Sequence, residues 1–154
     1  LPFLRKQGHG HILQVSSIGG VAAFGGLGLY HASKWGLEGF SEALSGEVAP
    51  YGIKVTIIEP GGFTTDWGGS SSVHAKPMSE YDHIRSLRTE RFATVKYGDP
   101  VASSAAILKV VDSNNPPLRL ILGEFGTKLL PQVYEQRLKT WEEWKDVSIA
   151  ADGE

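Results

Sequence analysis

Apolar residues recur at Leu37, Phe40, Leu44, Val48 and Tyr51, the three-to-four residue step of a helix. The helical segment runs from about Leu29 to Tyr51, and Pro50 with Gly52 closes it. Two runs of another kind flank it. His11–Ser17 (HILQVSS) is apolar, short and bounded by glycine, which predicts a strand. Ile53–Pro60 (IKVTIIEP) is β-branched and apolar along most of its length. Such a run suits a strand of a parallel sheet covered on both faces. Ile18–Gly28 reads as a small-residue loop. Leu1–Gln7 resembles the tail of an amphipathic helix, with basic residues in its last turn and Gly8 as its stop.

After Pro60 the periodicity ceases. Gly61–Pro77 (GGFTTDWGGSSSVHAKP) is long, polar and rich in glycine and serine. A connection of that length without structure of its own predicts a lid or binding loop. Its stretch Asp66–Pro77 is expected to be mobile alone and to order on ligand binding. Ser79–Thr94 predicts a helix, with Ser79 as cap and Asp82 as acid in the first turn. Pro100 opens a further helix, Leu118–Leu122 predicts a strand, and Lys128–Lys145 predicts a last helix. The tail, about 147–154, reads as loose.

No repeat or linker divides the chain, so residues 1–154 form one domain with a lid at about 61–95. Alternating strands and helices predict an α/β fold: about three parallel strands with helices on the faces. Ligands of such sheets sit beyond the carboxyl ends of the strands. Two of these ends carry Ser16-Ser17 and Pro60–Thr65.

Composition narrows the classes. The 154 residues are 41% hydrophobic and 21% charged, ordinary for a globular protein. The net charge is −2 with no long basic run, which argues against a nucleic-acid partner. No apolar run is long enough to span a bilayer, so no membrane partner is expected. The absence of cysteine removes disulfide and thiol chemistry and fits a reducing compartment such as the cytoplasm.

Tyr30 and Lys34 stand four residues apart on one helical face, and Ser17 lies thirteen residues before Tyr30 at a strand end. A phenol titrates near ~10, too high for acid–base work at neutral pH. One ammonium at about 4 Å contributes about 4 kcal/mol at an effective dielectric of about 20, the size needed to bring a phenol into range. A serine hydroxyl nearby can donate to a substrate oxygen on which charge develops.

Tyr30-His31-Ala32-Ser33-Lys34 is similar to the Y-x-x-x-K motif of the short-chain dehydrogenase/reductase family, and Ser17 stands where that family has its catalytic serine. EPGGFTTDW resembles the family's P-G-x-x-x-T segment, with Pro60, Gly61 and Thr65 in register. DPVASSAAILKVVDSNNPPLRLILG resembles its carboxyl-terminal helix and last strand. The resemblance implies a Rossmann-like doubly wound parallel sheet and hydride transfer between NAD or NADP and a small alcohol or carbonyl substrate. It implies Ser17, Tyr30 and Lys34 as catalytic residues. Tyr30, Lys34, Pro60, Gly61, Phe63 and Thr65 would bind the cofactor: Lys34 the ribose, the backbone at Gly61–Phe63 and the Thr65 hydroxyl the carboxamide and nearby phosphate. It implies a homo-oligomer for a complete protein.

Other residues have plainer readings. Ser16 reads as structural, and His31 as a packing or surface residue. His9 and His11 lack nearby carboxylates and read as a loop-to-strand junction, so no metal is expected. Trp35, Trp141 and Trp144 read as packing, whereas Trp67 sits in the lid. Trp67 and Phe63 point to a largely apolar substrate. A serine hydrolase would need G-x-S-x-G, and the chain reads V-S-S-I-G around Ser17.

No glycine-rich turn opens a helix from a strand here. The chain is therefore expected to be the carboxyl-terminal half of such an enzyme, a partial Rossmann-like domain inactive alone. The alternative is a non-catalytic half-domain that binds a ligand or protein without turnover.

Overall fold

The computed structural model describes residues 1–153. Helix α1 (Pro2–Gln7) ends at Gly8, whose φ of 77° places it in the left-handed region open to glycine. Strand β1 (Gly10–Val15) and a 3-10 turn (Ile18–Gly20) lead to α2 (Gly28–Val48). A further 3-10 turn, Ala49–Tyr51, joins α2 to β2 (Ile53–Pro60). Gly52 makes the join with φ 70°, and a side chain there would run into the backbone of Gly8. The lid segment holds only the 3-10 turns Asp66–Gly68 and Ser79–Tyr81 before α3 (Asp82–Ala93). Helix α4 (Pro100–Val111), β3 (Arg119–Leu122), α5 (Glu124–Glu143) and α6 (Lys145–Ala150) complete the order.

The sheet has three strands in the order β1-β2-β3, all parallel. Gly10 faces Ile53 and Val15 faces Ile58; Ile57 faces Arg119 and Pro60 faces Leu122. All carboxyl ends thus lie on one side. The central β2 is buried along almost its whole length, as its apolar run predicts. Ile53 and Val55 pack with Leu44 and Val48 of α2, and Leu4, Ile12 and Leu118 border that cluster. A second cluster joins Ile18, Val21 and Ala22 to Leu130 of α5, with Ile121 and Phe125 against it. Burial of each such aliphatic side chain contributes about 1.5–3 kcal/mol. Arg137 of α5 stitches the layers further: it donates to the Val21 carbonyl at 2.7 Å and lies 5.0 Å over the Trp35 ring.

Three local expectations change. The buried face of α2 is His31, Glu38, Ser41, Leu44 and Val48, while Phe40 points outward and is 59% exposed. Polar groups with partners on other elements occupy positions that a simple apolar stripe would claim. Ser79 does not cap α3; its hydroxyl turns to Glu80, and Asp82 pairs with Arg85 instead. The tail read as loose is helical from Lys145 to Ala150, with exposed side chains. The expected cap at Pro100 is present, completed by Asp99, whose carboxylate accepts from Val101 N–H at 2.8 Å. His9 meets Gln7 at 3.0 Å. His11 Nε2 meets the Thr56 hydroxyl at 2.9 Å, and that hydroxyl donates to Pro117 O at 2.7 Å. Burial, then the charge of Lys54, holds His11 below the usual imidazole range. Among the described residues no helix is long and apolar enough to cross a membrane.

Candidate active site

The chain leaves β1 at Val15 and turns sharply through Ser17, which is extended (φ −170°) and caps the 3-10 turn. The Ser17 hydroxyl accepts from Gly19 N–H at 3.0 Å and donates to the Pro60 carbonyl at 3.4 Å. It therefore bridges the carboxyl ends of β1 and β2. Gly19 is a close approach: a Cβ there would stand 3.0 Å from the Tyr30 ring and 3.1 Å from the His31 ring. A glycine lets the serine turn and the start of α2 meet this closely without displacing either ring.

Tyr30 lies in the first turn of α2, half-buried. One turn on, Lys34 donates its ammonium to the Val15 carbonyl at 3.0 Å and lies 6.0 Å from the centre of the Tyr30 ring. Ser17, Tyr30 and Lys34 thus collect around the end of β1. Trp67 arrives from the lid and sets its ring edge-on to Tyr30, centroids 5.3 Å apart. The row of rings continues through His31, Phe24, Phe92 and Phe125, which ties α3 and α5 to the same wall.

His31 is more than packing. It is 5% exposed, its Nε2 accepts from Phe24 N–H at 2.9 Å, and its Nδ1 meets the Gly19 carbonyl at 2.8 Å. The first bond makes Nε2 the acceptor, so Nδ1 carries the hydrogen and donates. Through Gly19 this imidazole fixes the amide that holds the Ser17 hydroxyl.

The residues after β2 line the same side. Gly61 N–H donates to Leu122 O at 2.9 Å. Phe63 bridges to Gly98, and its ring lies so close that a Cβ on Gly98 would collide with it. Thr65 caps the lid's first turn, its hydroxyl accepting from Trp67 N–H at 3.4 Å. Asp66 accepts from Ser70 and Ser71 N–H, both at 3.0 Å. Chiefly through the bonds of Ser71, its carboxyl is held below the usual range. At the carboxyl ends of β1 and β2, Lys34, the backbone at Gly61–Phe63 and the exposed Thr65 hydroxyl offer a cation, backbone polar groups and a hydroxyl. That donor set fits the nicotinamide and ribose end of a dinucleotide.

Sequence reasoning missed one constellation beneath the site. Glu38 of α2 and Glu59 of β2, both buried, meet Arg119 of β3. The signal was in the numbering: Glu38 follows Tyr30 and Lys34 at the same step of four, and Glu59 precedes Pro60.

The family model for short chain dehydrogenase matches residues 1–75. Oxidoreductase BOA17 of Botryotinia fuckeliana is 38% identical over 156 residues, covering 98% of this chain and 56% of its own. The 3-ketodihydrosphingosine reductase of Bacteroides thetaiotaomicron is 37% identical over 145 residues, 92% of this chain and 52% of its own. The crystal structure of a short-chain dehydrogenase from Streptomyces avermitilis superimposes with a TM-score of 0.87 at 35% identity, covering 98% of this chain and 56% of that one. A short-chain dehydrogenase from Burkholderia cenocepacia, solved in complex with NADP, shares the fold with a TM-score of 0.57 at 17% identity, covering 92% of this chain and 49% of that one. The chain spans about half the length of the curated relatives it matches.

Proposed function

The chain belongs to the short-chain dehydrogenase family, and we propose that Ser17, Tyr30 and Lys34 are the acid–base centre of an oxidoreductase that interconverts an alcohol and a carbonyl with NAD or NADP. The observation that carries this reading is the placement of the three residues at the end of β1: Ser17 holds the Gly19 amide, the Tyr30 ring abuts Gly19, and Lys34 donates to the Val15 carbonyl. When bound, the dinucleotide accepts or supplies the hydride. The chain's own residues handle the proton. The Tyr30 hydroxyl gives a proton to the carbonyl oxygen in reduction and takes it from the alcohol in oxidation. The Lys34 ammonium, one helical turn from the phenol, serves both the ribose and the proton transfer. The Ser17 hydroxyl leaves its long bond to Pro60 O and donates to the substrate oxygen as charge grows there. The backbone at Gly61–Phe63 and the Thr65 hydroxyl would hold the carboxamide and phosphate. Trp67 and Phe63 present an apolar wall to a largely apolar substrate and exclude water from the proton transfer.

The test is nicotinamide absorbance, read in the chain itself and in a fusion carrying the part of the Botryotinia relative that this chain does not cover. The fusion is expected to turn over an alcohol or carbonyl. Its Tyr30→Phe variant should bind cofactor and lose about a hundred- to ten-thousand-fold in rate. A Phe variant keeping more than about a tenth of the rate would remove Tyr30 from its role. A fusion that binds cofactor but turns over nothing would favour a non-catalytic binding domain.

A further inference from the structure

Tyr30, Lys34 and Glu38 follow one another at steps of four along a single stripe of α2. The first two reach the candidate site, and Glu38 goes inward. Glu38 is 5% exposed and Glu59 1%. Glu59 stands immediately before Pro60, whose carbonyl receives the Ser17 hydroxyl. The two carboxyl groups lie within hydrogen-bonding reach of each other.

Charged groups approach them from two elements. Arg119 comes from β3, its Nε 3.2 Å from Glu38 and 3.4 Å from Glu59. Glu42 comes from α2 and takes the Arg119 Nη2 at 2.8 Å. Three carboxyl groups thus face one guanidinium. Glu38 Oε1, Glu59 Oε1, Ser16 Oγ and Ser41 Oγ are buried without a hydrogen-bond partner. Two of these oxygens crowd the bare Cα of Gly20, where a Cβ would stand 2.7 Å from Ser16 Oγ and 3.0 Å from Glu38 Oε1. The packing leaves no room for a side chain and brings these two oxygens together.

Two ionised carboxylates cannot be kept this close away from water at modest cost. One guanidinium, shared with Glu42, does not neutralise both. We infer that Glu38 and Glu59 hold one proton between them, forming an acid–carboxylate clasp that positions the Tyr30–Lys34 stripe of α2 over the Ser17–Pro60 end of the sheet. The protonated carboxyl donates to the ionised one, and Arg119 balances the remaining charge. Burial, then the charge of Glu38, pushes the Glu59 carboxyl up to about 7 against the pull of Arg119. The clasp is closed below that value and opens as the proton leaves above it. The folded chain keeps a proton that an unfolded chain loses near the ordinary value of 4.5. The clasp's contribution to stability is therefore full below that value, declines as pH rises toward about 7, and is gone beyond it. The clasp stands without the proposed chemistry; only its effect on turnover rests on that reading.

The experiment is an infrared titration of the chain, with hydrogen exchange at Tyr30–Lys34 corrected for the intrinsic pH dependence. A protonated-carboxyl band should vanish with a midpoint of about 7, and protection at Tyr30–Lys34 should fall across the same midpoint. Glu59→Gln keeps a donor toward Glu38, so it should lack the band and hold constant protection on both sides. Glu38→Gln removes the neighbouring charge and should move the band's midpoint down. A chain with no such band near neutral pH, or a band unchanged in both variants, overturns the shared proton. A titrating band with unchanged protection at Tyr30–Lys34 overturns the positioning role.

Discussion

The start of α2 and the lid lie against each other, yet they are held by opposite means. Around Tyr30 the bonds link elements far apart in the chain: Lys34 to Val15, Ser17 to Pro60, Arg119 to Glu38. His31 adds two more, to Phe24 and Gly19. From Asp66 onward the lid bonds to itself, Asp66 to Ser70 and Ser71, and Ser72 to Gly69 and His74. Its reach toward the site is the Trp67 ring on Tyr30 and, from α3, the Phe92 ring on Phe24. The fold therefore fixes Ser17, Tyr30 and Lys34 without any ligand. The lid has a shape of its own but little that fastens it, as the proposed opening and closing would require.

The sharpest way to break the contrast is to weaken the fixed half at its cation. Lys34→Ala in the fusion should lower the rate by about a hundredfold or more. It should also weaken cofactor binding and change the basic limb of the pH profile. Lys34→Arg keeps the charge but substitutes a planar fork for a compact ammonium, so it should restore little. An alanine variant with unchanged cofactor affinity and basic limb would refute the dual role.

A smaller effect is expected one residue after Tyr30. His31→Leu leaves the Gly19 carbonyl and the Phe24 amide without their partners. Each lost partner costs about 1–3 kcal/mol where the group stays buried. In a chain of this size that is about 2–4 °C of melting temperature per kcal/mol. Thermal unfolding checks this, and a variant melting with the parent would show that the imidazole only fills space.

The smallest effect belongs to the lid. Asp66 is held below the usual carboxylate range, so its bonds to Ser70 and Ser71 persist at neutral pH. They are lost only as pH falls through that lowered value. Asp66→Ala should raise amide exchange at Ser70 and Ser71 and leave global unfolding where it was. In the fusion, NADP should slow exchange across Asp66–Pro77. Equal protection with and without NADP would contradict a moving lid.

The sequence showed some of this plainly. β2 is legible to the residue because an unbroken β-branched run has few other uses. The closeness of Ser17, Tyr30 and Lys34 to one strand end is legible because their spacing is short and only a turn and a loop separate Ser17 from α2. The buried face of α2 is not legible. Glu38 and Ser41 look like surface residues until Glu59 and Arg119 arrive from positions about twenty and about eighty residues away. His31 read as packing or surface for the same reason: its partners, Gly19 and Phe24, belong to a turn whose path no local pattern sets. Ser79 misled in the other direction. It falls in a 3-10 turn before α3, whose start has no side-chain cap and carries Asp82 paired with Arg85.

The parallel order of the sheet also has a kinetic consequence. Gly10 and Ile53 are more than forty residues apart in the chain, and Ile57 and Arg119 about sixty. No hairpin can start this sheet; each pairing must close a long loop before it gains anything. The 21-residue α2 is the longest element able to form early from local contacts. The chain should therefore fold slowly, with α2 as scaffold and β2 as the late arrival that commits both pairings at once.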